Sequence, residues 1–205
     1  IFSLKNQTKQ FCDLKPELMC MLFDRVIVPI LLYGSEIWGL NNVDEIERVH
    51  VQFCKQILHL RLSTASYFVY GELGRYPLTS KLYLRVIKYW LKLMQGSKPL
   101  VKDAYRMLYN VCEADRRATN WASHVKNLLF RLGFGHVWLY QGVANIDRFL
   151  TLFEQRVCDN ALRMWSHSVS SSSESLIYRE VKSTLEYSNH LNVIVQPKYT
   201  SLLNL

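Results

Sequence analysis

Four cations, Lys81, Arg85, Lys88 and Lys92, recur at spacings of four, three and four residues. On a helix they fall at about 0°, 40°, −20° and 20°, one narrow stripe. Such a stripe suits a polyanion, because each Lys or Arg set against a phosphate releases condensed counterions and so supplies sequence-independent affinity for nucleic acid. Tyr89, at about 80° on the same wheel, borders the stripe, where an aromatic ring is placed to stack on a base or sugar. Arg61 and Arg75 lie upstream and are expected to help. The candidate nucleic-acid-binding residues are therefore Arg61, Arg75, Lys81, Arg85, Lys88, Tyr89 and Lys92. The competing reading sets Glu45 or Glu47 from another helix against the stripe as ordinary surface pairs.

Other chemistry finds little support. Two-metal nucleotidyl transfer needs closely placed carboxylates, and the seven aspartates, from Asp13 to Asp159, are never adjacent. The chain has no Gly-rich phosphate loop, no Gly-x-Ser-x-Gly elbow and no His-Glu-x-x-His. His50 and Cys54 stand four apart, as two zinc ligands would, but no second pair at structural-site spacing supports them. His124, His136, His167 and His190 are isolated, and Glu36 and Glu72 lack a partner acid or base, so helix capping is their expected job. No catalytic residue, no metal ligand and no cofactor-binding residue is assigned.

The elements that must position the stripe read as helices, since apolar residues recur at three and four and strict alternation is rare. A helix from residue 15 carries Leu18, Leu22 and Val26 with Met21 and Val28, and Pro29 is expected to kink or end it. The apolar run from Val26 to Tyr33 reads as a buried core segment. Asn42, with Glu45 three residues on, is an expected helix N-terminus, opening a helix with Ile46, Val49, Phe53, Ile57 and Leu60 on one face. Ser63 or Thr64 is expected to cap a short helix that the Gly71 to Pro77 stretch interrupts. The basic helix runs from about Thr79 to Met94, with Tyr83 and Trp90 among its packing residues. Further helices are expected near 101–114, 120–132, 146–165 and 175–186, with a polar linker at 168–175 and a short β-type run at 191–195 with Tyr199. The fold class is all-α: a thumb-like multi-helix bundle at 1–97, a second helical subdomain at 98–188, and a tail at 189–205 that holds the short β-type run.

Composition agrees with a folded, basic protein. Of 205 residues 49% are apolar, and 25 Lys and Arg against 17 Asp and Glu give a net charge of +8. Eleven of these cations fall between Arg48 and Arg106, where only Glu72 and Asp103 oppose them. Five scattered cysteines without a Cys-x-x-Cys pair suit a reduced intracellular compartment, nucleus or cytoplasm. No apolar run approaches the ~20 residues a membrane span needs, and the opening residues do not resemble a secretory signal. The first residue is Ile1, so the chain is expected to be a fragment.

The stretch Pro29-Ile30-Leu31-Leu32-Tyr33-Gly34-Ser35-Glu36-Ile37-Trp38-Gly39, then Ile46-Glu47-Arg48-Val49-His50 and Phe53-Cys54-Lys55-Gln56-Ile57-Leu58, resembles the region after the palm in non-LTR (LINE-type) retrotransposon reverse transcriptases. The resemblance continues through Val69-Tyr70-Gly71-Glu72-Leu73-Gly74-Arg75-Tyr76-Pro77-Leu78. It extends to Asn120-Trp121-Ala122, Gly133-Phe134-Gly135-His136-Val137-Trp138 and Phe153-Glu154-Gln155-Arg156, and so spans about Leu14 to Trp165. It implies a thumb and a following helical linker that hold template and primer behind the active site of an RNA-directed DNA polymerase. The aspartate-bearing palm, a partner of this region, and the endonuclease would lie upstream of Ile1, and the Mg used by the parent polymerase would be held there. A downstream Cys/His knuckle is absent from the sequence. The expectation is a non-catalytic fragment that binds an RNA template or an RNA/DNA duplex and no membrane. The alternatives are a helical protein-interaction module or a non-functional relic of a decayed mobile element, and last a complete small enzyme.

Overall fold

The computed structural model describes residues 15–96, 99–115, 117–172 and 175–191. The fold is all-α: among the described residues there is no strand, only an isolated bridge between Leu73 and Tyr187. The helices are α1 (Pro16–Leu22), a π-turn (Phe23–Ile27), α2 (Val28–Leu31), α3 (Ser35–Trp38), a 3-10 turn (Gly39–Asn41), α4 (Val43–Ile57), α5 (Ser66–Leu73), α6 (Thr79–Gln95), α7 (Pro99–Ala114), α8 (Trp121–Arg131), α9 (Gly135–Leu139), α10 (Ile146–Ser171) and α11 (Leu176–Val181). The β-type run expected at the end lies, beyond Leu191, outside the described residues.

Two compact units interleave along the chain. One takes residues 1–30, 49–75 and 168–205, and the other 31–48 and 76–167. The boundary expected at 97 falls inside the second unit, between α6 and α7.

In the first unit, α1 and the π-turn bury Cys20 and Phe23. The stripe expected there is corrected. Met21, Leu22, Val26, Ile30 and Tyr33 are exposed, while Pro16, Cys20, Phe23, Val28 and Leu32 are buried. Pro16, Cys20 and Phe23 set the buried face ahead of the π-turn, whose extra residue then shifts the register of the residues that follow it. The turn also precedes Pro29, whose missing N–H and ring would disrupt a regular α-helix at that point.

α5 continues through Gly71 and stops at Gly74, whose φ of 58° is the left-handed conformation that closes a helix C-terminus. Neither Ser63 nor Thr64 caps it, since the N-cap position is Ala65 without a side-chain bond. Gly74 is required twice, because a Cβ there would lie 2.3 Å from the Tyr187 backbone nitrogen. The Tyr187 backbone runs against this turn, Ser188 N–H donates to the Glu72 carbonyl at 2.9 Å, and Leu191 enters the cluster of Cys20, Cys54, Val69 and Leu73.

The second unit is organised around α6. Leu82, Val86, Ile87, Trp90 and Leu91 are buried, and α3, α7 and α8 pack on the helix. α8 begins as the sequence suggests, with the Asn120 side chain accepting from Ser123 N–H at 2.9 Å. α4 opens at Val43, directly after Asn42 as expected; the Asn42 side-chain amide donates to the Trp38 carbonyl, and Glu45 pairs with Arg48. α10 and α11 also differ from expectation. The helix of α10 runs on to Ser171, through the first half of the expected linker, and α11 is confined to Leu176–Val181.

No single helix among the described residues is long and apolar enough to cross a membrane, while one bent pair, Pro16–Leu31 with Ser35–Asn41, passes by length and composition.

Candidate nucleic-acid interface

The basic helix is held from three sides. At its N-terminus Glu47 accepts from Thr79 N–H at 3.1 Å, where a carboxylate meets the positive end of the helix dipole. Along its flank Gly39 brings the turn after α3 against Leu82 so closely that a Cβ at Gly39 would lie 2.3 Å from Leu82 Cδ1. From the other side Trp90 Nε1 donates to Tyr105 Oη at 2.9 Å, and Tyr105 donates to Gln141 Oε1 at 2.7 Å. Burial pushes the Tyr105 phenol up to about 12, against the lowering effect of the Trp90 bond. This buried relay satisfies two ring donors that would otherwise be costly to desolvate.

With those faces locked, Lys81, Arg85, Lys88 and Lys92 all stand on the exposed side of α6, as the wheel predicts. Their surroundings nevertheless differ. Arg85 Nη1 donates to the Leu32 carbonyl, which also accepts from Ser35 N–H and Ser35 Oγ at the end of α2. Arg85 thus serves partly as a cation on a helix C-terminus. Lys88 and Lys92 are exposed and form no ion pair with any described acid. Of the acids that the competing reading sets against the stripe, Glu45 pairs with Arg48, and Glu47 accepts from Thr79 N–H at the start of α6.

Tyr89 is half-buried, with its ring set edge-on to Trp121 at 5.9 Å, and Trp121 Nε1 donates to the Glu36 carbonyl at 2.8 Å. Packing therefore occupies the ring expected to stack on a base. Tyr83 meets Arg131, whose guanidinium lies 5.2 Å from its ring centre.

Arg75 and Arg61 belong to the first unit. Arg61 is exposed in the loop after α4. Arg75 is not a surface cation: its side chain is only 11% exposed, its Nη2 lies 2.7 Å from Asp24 Oδ1, and its Nε donates to His50 Nε2 at 2.9 Å. The guanidinium also sits 5.8 Å from the Phe23 ring centre. Burial pulls its pKa down, but the bond to Asp24 and the nearby thiols outweigh this and leave it raised. The pair His50 and Cys54, which looked like two metal ligands by spacing, instead lies beside this buried cation. Among the described residues no three His, Cys, Asp or Glu side chains gather as a metal site would require.

The basic segment between Arg48 and Arg106 is therefore less free than its composition suggests. Lys55 is buried and donates to the Leu62 carbonyl at 2.7 Å, and Arg106 pairs with Asp103. Asp24 and Gly39, which fix Arg75 and α6, were not singled out by spacing; the only sequence signal at either is the small residue following Trp38. No family model, curated protein or solved structure matches this chain.

Proposed function

We propose that this chain is the non-catalytic, thumb-like helical part of a LINE-type reverse transcriptase, gripping the backbone of an RNA template or RNA/DNA duplex through the exposed cations of α6. Lys88 and Lys92 make the main contacts, Lys81 and Arg85 extend the stripe, and Arg75 has an internal structural role. The observation that carries the reading is the one-sided helix: five apolar side chains of α6 buried and four cations on the opposite face. Like charges at a spacing of four repel by a few tenths of a kcal/mol per pair, and a row of phosphates reverses that sign. The ordered sequence blocks that resemble the family supply the identity of the polyanion. Contacts of this kind position a protein on a backbone and do not read bases. The palm, its Mg and the chemistry of copying would belong to the rest of the parent protein, inside the cell.

Fluorescence anisotropy with a labelled RNA/DNA duplex tests this. Lys88→Gln with Lys92→Gln is expected to weaken binding by roughly tenfold near physiological salt, the scale of two lost phosphate contacts, with the same melting temperature as the parent. Equal affinity of the two proteins contradicts the reading.

The reading as a protein-interaction module is favoured by one feature, an apolar stripe on the outer face of α7.

A further inference from the structure

α7 carries a second regular stripe, and nothing in its own unit covers it. Leu100, Ala104, Met107, Val111 and Ala114 are exposed, with Leu100, Met107 and Val111 at 83%, 71% and 54%. On the helical wheel these five span an arc of about 80°. Their spacing of four, three, four and three is that of a coiled-coil seam, in which apolar knobs enter holes on a facing helix. The opposite side of α7, with Tyr105 and Cys112, is buried against α6 and α8. The stripe is thus a second apolar face on a helix that is already anchored, and contiguous apolar patches on a protein surface mark interaction sites.

We propose that this stripe pairs with the same stripe of a second copy of the chain, the two α7 helices running antiparallel. The side-chain sizes select that occupant and that direction. Sliding two copies past each other head to tail sets Leu100 against Val111 of the second copy and Ala104 against Met107 of the second copy. Each of the four layers in this register then joins a larger residue to a smaller one, as close packing requires. A parallel pair would stack Met107 on Met107 and leave Ala104 facing Ala104.

Charge makes the same choice. Asp103, Arg106 and Asn110 line one exposed edge of the stripe, and Asp103 already lies 3.2 Å from Arg106 on its own helix. Antiparallel pairing brings Asp103 of one copy alongside Arg106 and Asn110 of the other, whereas parallel pairing turns these edges to opposite sides of the seam and leaves them without that partner. Four residues from each helix fall short of the ~1,200 Å² total of a standard interface, so the pairing is reversible and populated at high protein concentration.

Sedimentation velocity on the full chain, from about 10 to about 500 μM, covers the range expected of an interface of this size. A concentration-dependent shift from monomer to dimer is expected. Met107→Glu abolishes that shift with the melting temperature unchanged, and Leu100→Glu gives the same result should the first variant fold poorly. Ile177→Glu, an equally exposed apolar position on α11, leaves the dimer intact. Asp103→Arg weakens association severalfold, and adding Arg106→Asp restores it. A monomer at every concentration, association that survives both Met107→Glu and Leu100→Glu, or loss of association in Ile177→Glu overturns the proposal.

Discussion

α6 and α7 are consecutive helices of one unit, and each presents an outward stripe with the same spacing: four cations on one, and an apolar row on the other. Their inner faces are alike, since Trp90 from α6 and Tyr105 from α7 meet in one hydrogen bond. The difference lies outside. A cationic stripe is content in water and gains from a partner only through charge, with an affinity that falls steeply as salt rises. An apolar stripe is costly in water and gains from a partner through burial, which salt does not screen. Helix periodicity therefore fixes where a face lies, and side-chain chemistry fixes what that face can meet.

The sharpest break in the comparison removes the shared inner tie. Trp90→Ala should destabilise the unit by about 3–5 kcal/mol, measured by chemical denaturation, and should impair both outer stripes because both helices lose their anchor. Tyr105→Phe is milder. It leaves the buried Trp90 N–H without an acceptor, at a cost of about 1–3 kcal/mol.

The Tyr105 variant also carries a pH signature. The folded phenol titrates near 12, above its ordinary value of 10, so its contribution is complete below about pH 10 and is lost as pH rises towards about 12. Tyr105→Phe should flatten that alkaline fall in stability relative to the parent, as followed by thermal melts across the range. An equally steep fall in the variant would place the cause elsewhere.

Changes confined to the outer faces should leave the fold alone. Lys88→Gln with Lys92→Gln, and separately Met107→Glu, should each shift unfolding free energy by no more than ~0.5 kcal/mol, because all three side chains are exposed. Calorimetry that finds a larger loss would mean the stripes help hold the unit together.

Much of this was legible in residue order, and the failures are instructive. The basic helix was placed correctly because Lys and Arg resist burial unless paired, so four of them on one wheel position fix an outer face. Apolar residues carry no such guarantee. Nothing in the sequence separates Leu100, Met107 and Val111 from Val101, Tyr105, Leu108 and Cys112, which continue the apolar arc, and only the fold tells the inner half from the outer. The face of α1 differs from expectation because Leu18, Met21 and Leu22 are as apolar as Cys20 and Phe23, and the π-turn at Phe23–Ile27, which shifts the register after it, has no residue signature beyond the proline that follows. Partners at long range escaped altogether. Asp24 lies 51 residues from Arg75, and Leu32 offers Arg85 a backbone carbonyl that no spacing rule reports. Charge density along the chain therefore overstates the cations free to act, and their partners must be subtracted one by one.

The central claim is that α6 meets phosphates and α7 does not. It is tested most directly by the slope of log binding constant against log salt for an RNA/DNA duplex, measured on the parent chain, Lys88→Gln with Lys92→Gln, and Met107→Glu. The account predicts a slope shallower by about two in the α6 variant, one unit for each phosphate contact removed, and a slope unchanged in the α7 variant. An identical slope for the parent and the α6 variant would contradict it.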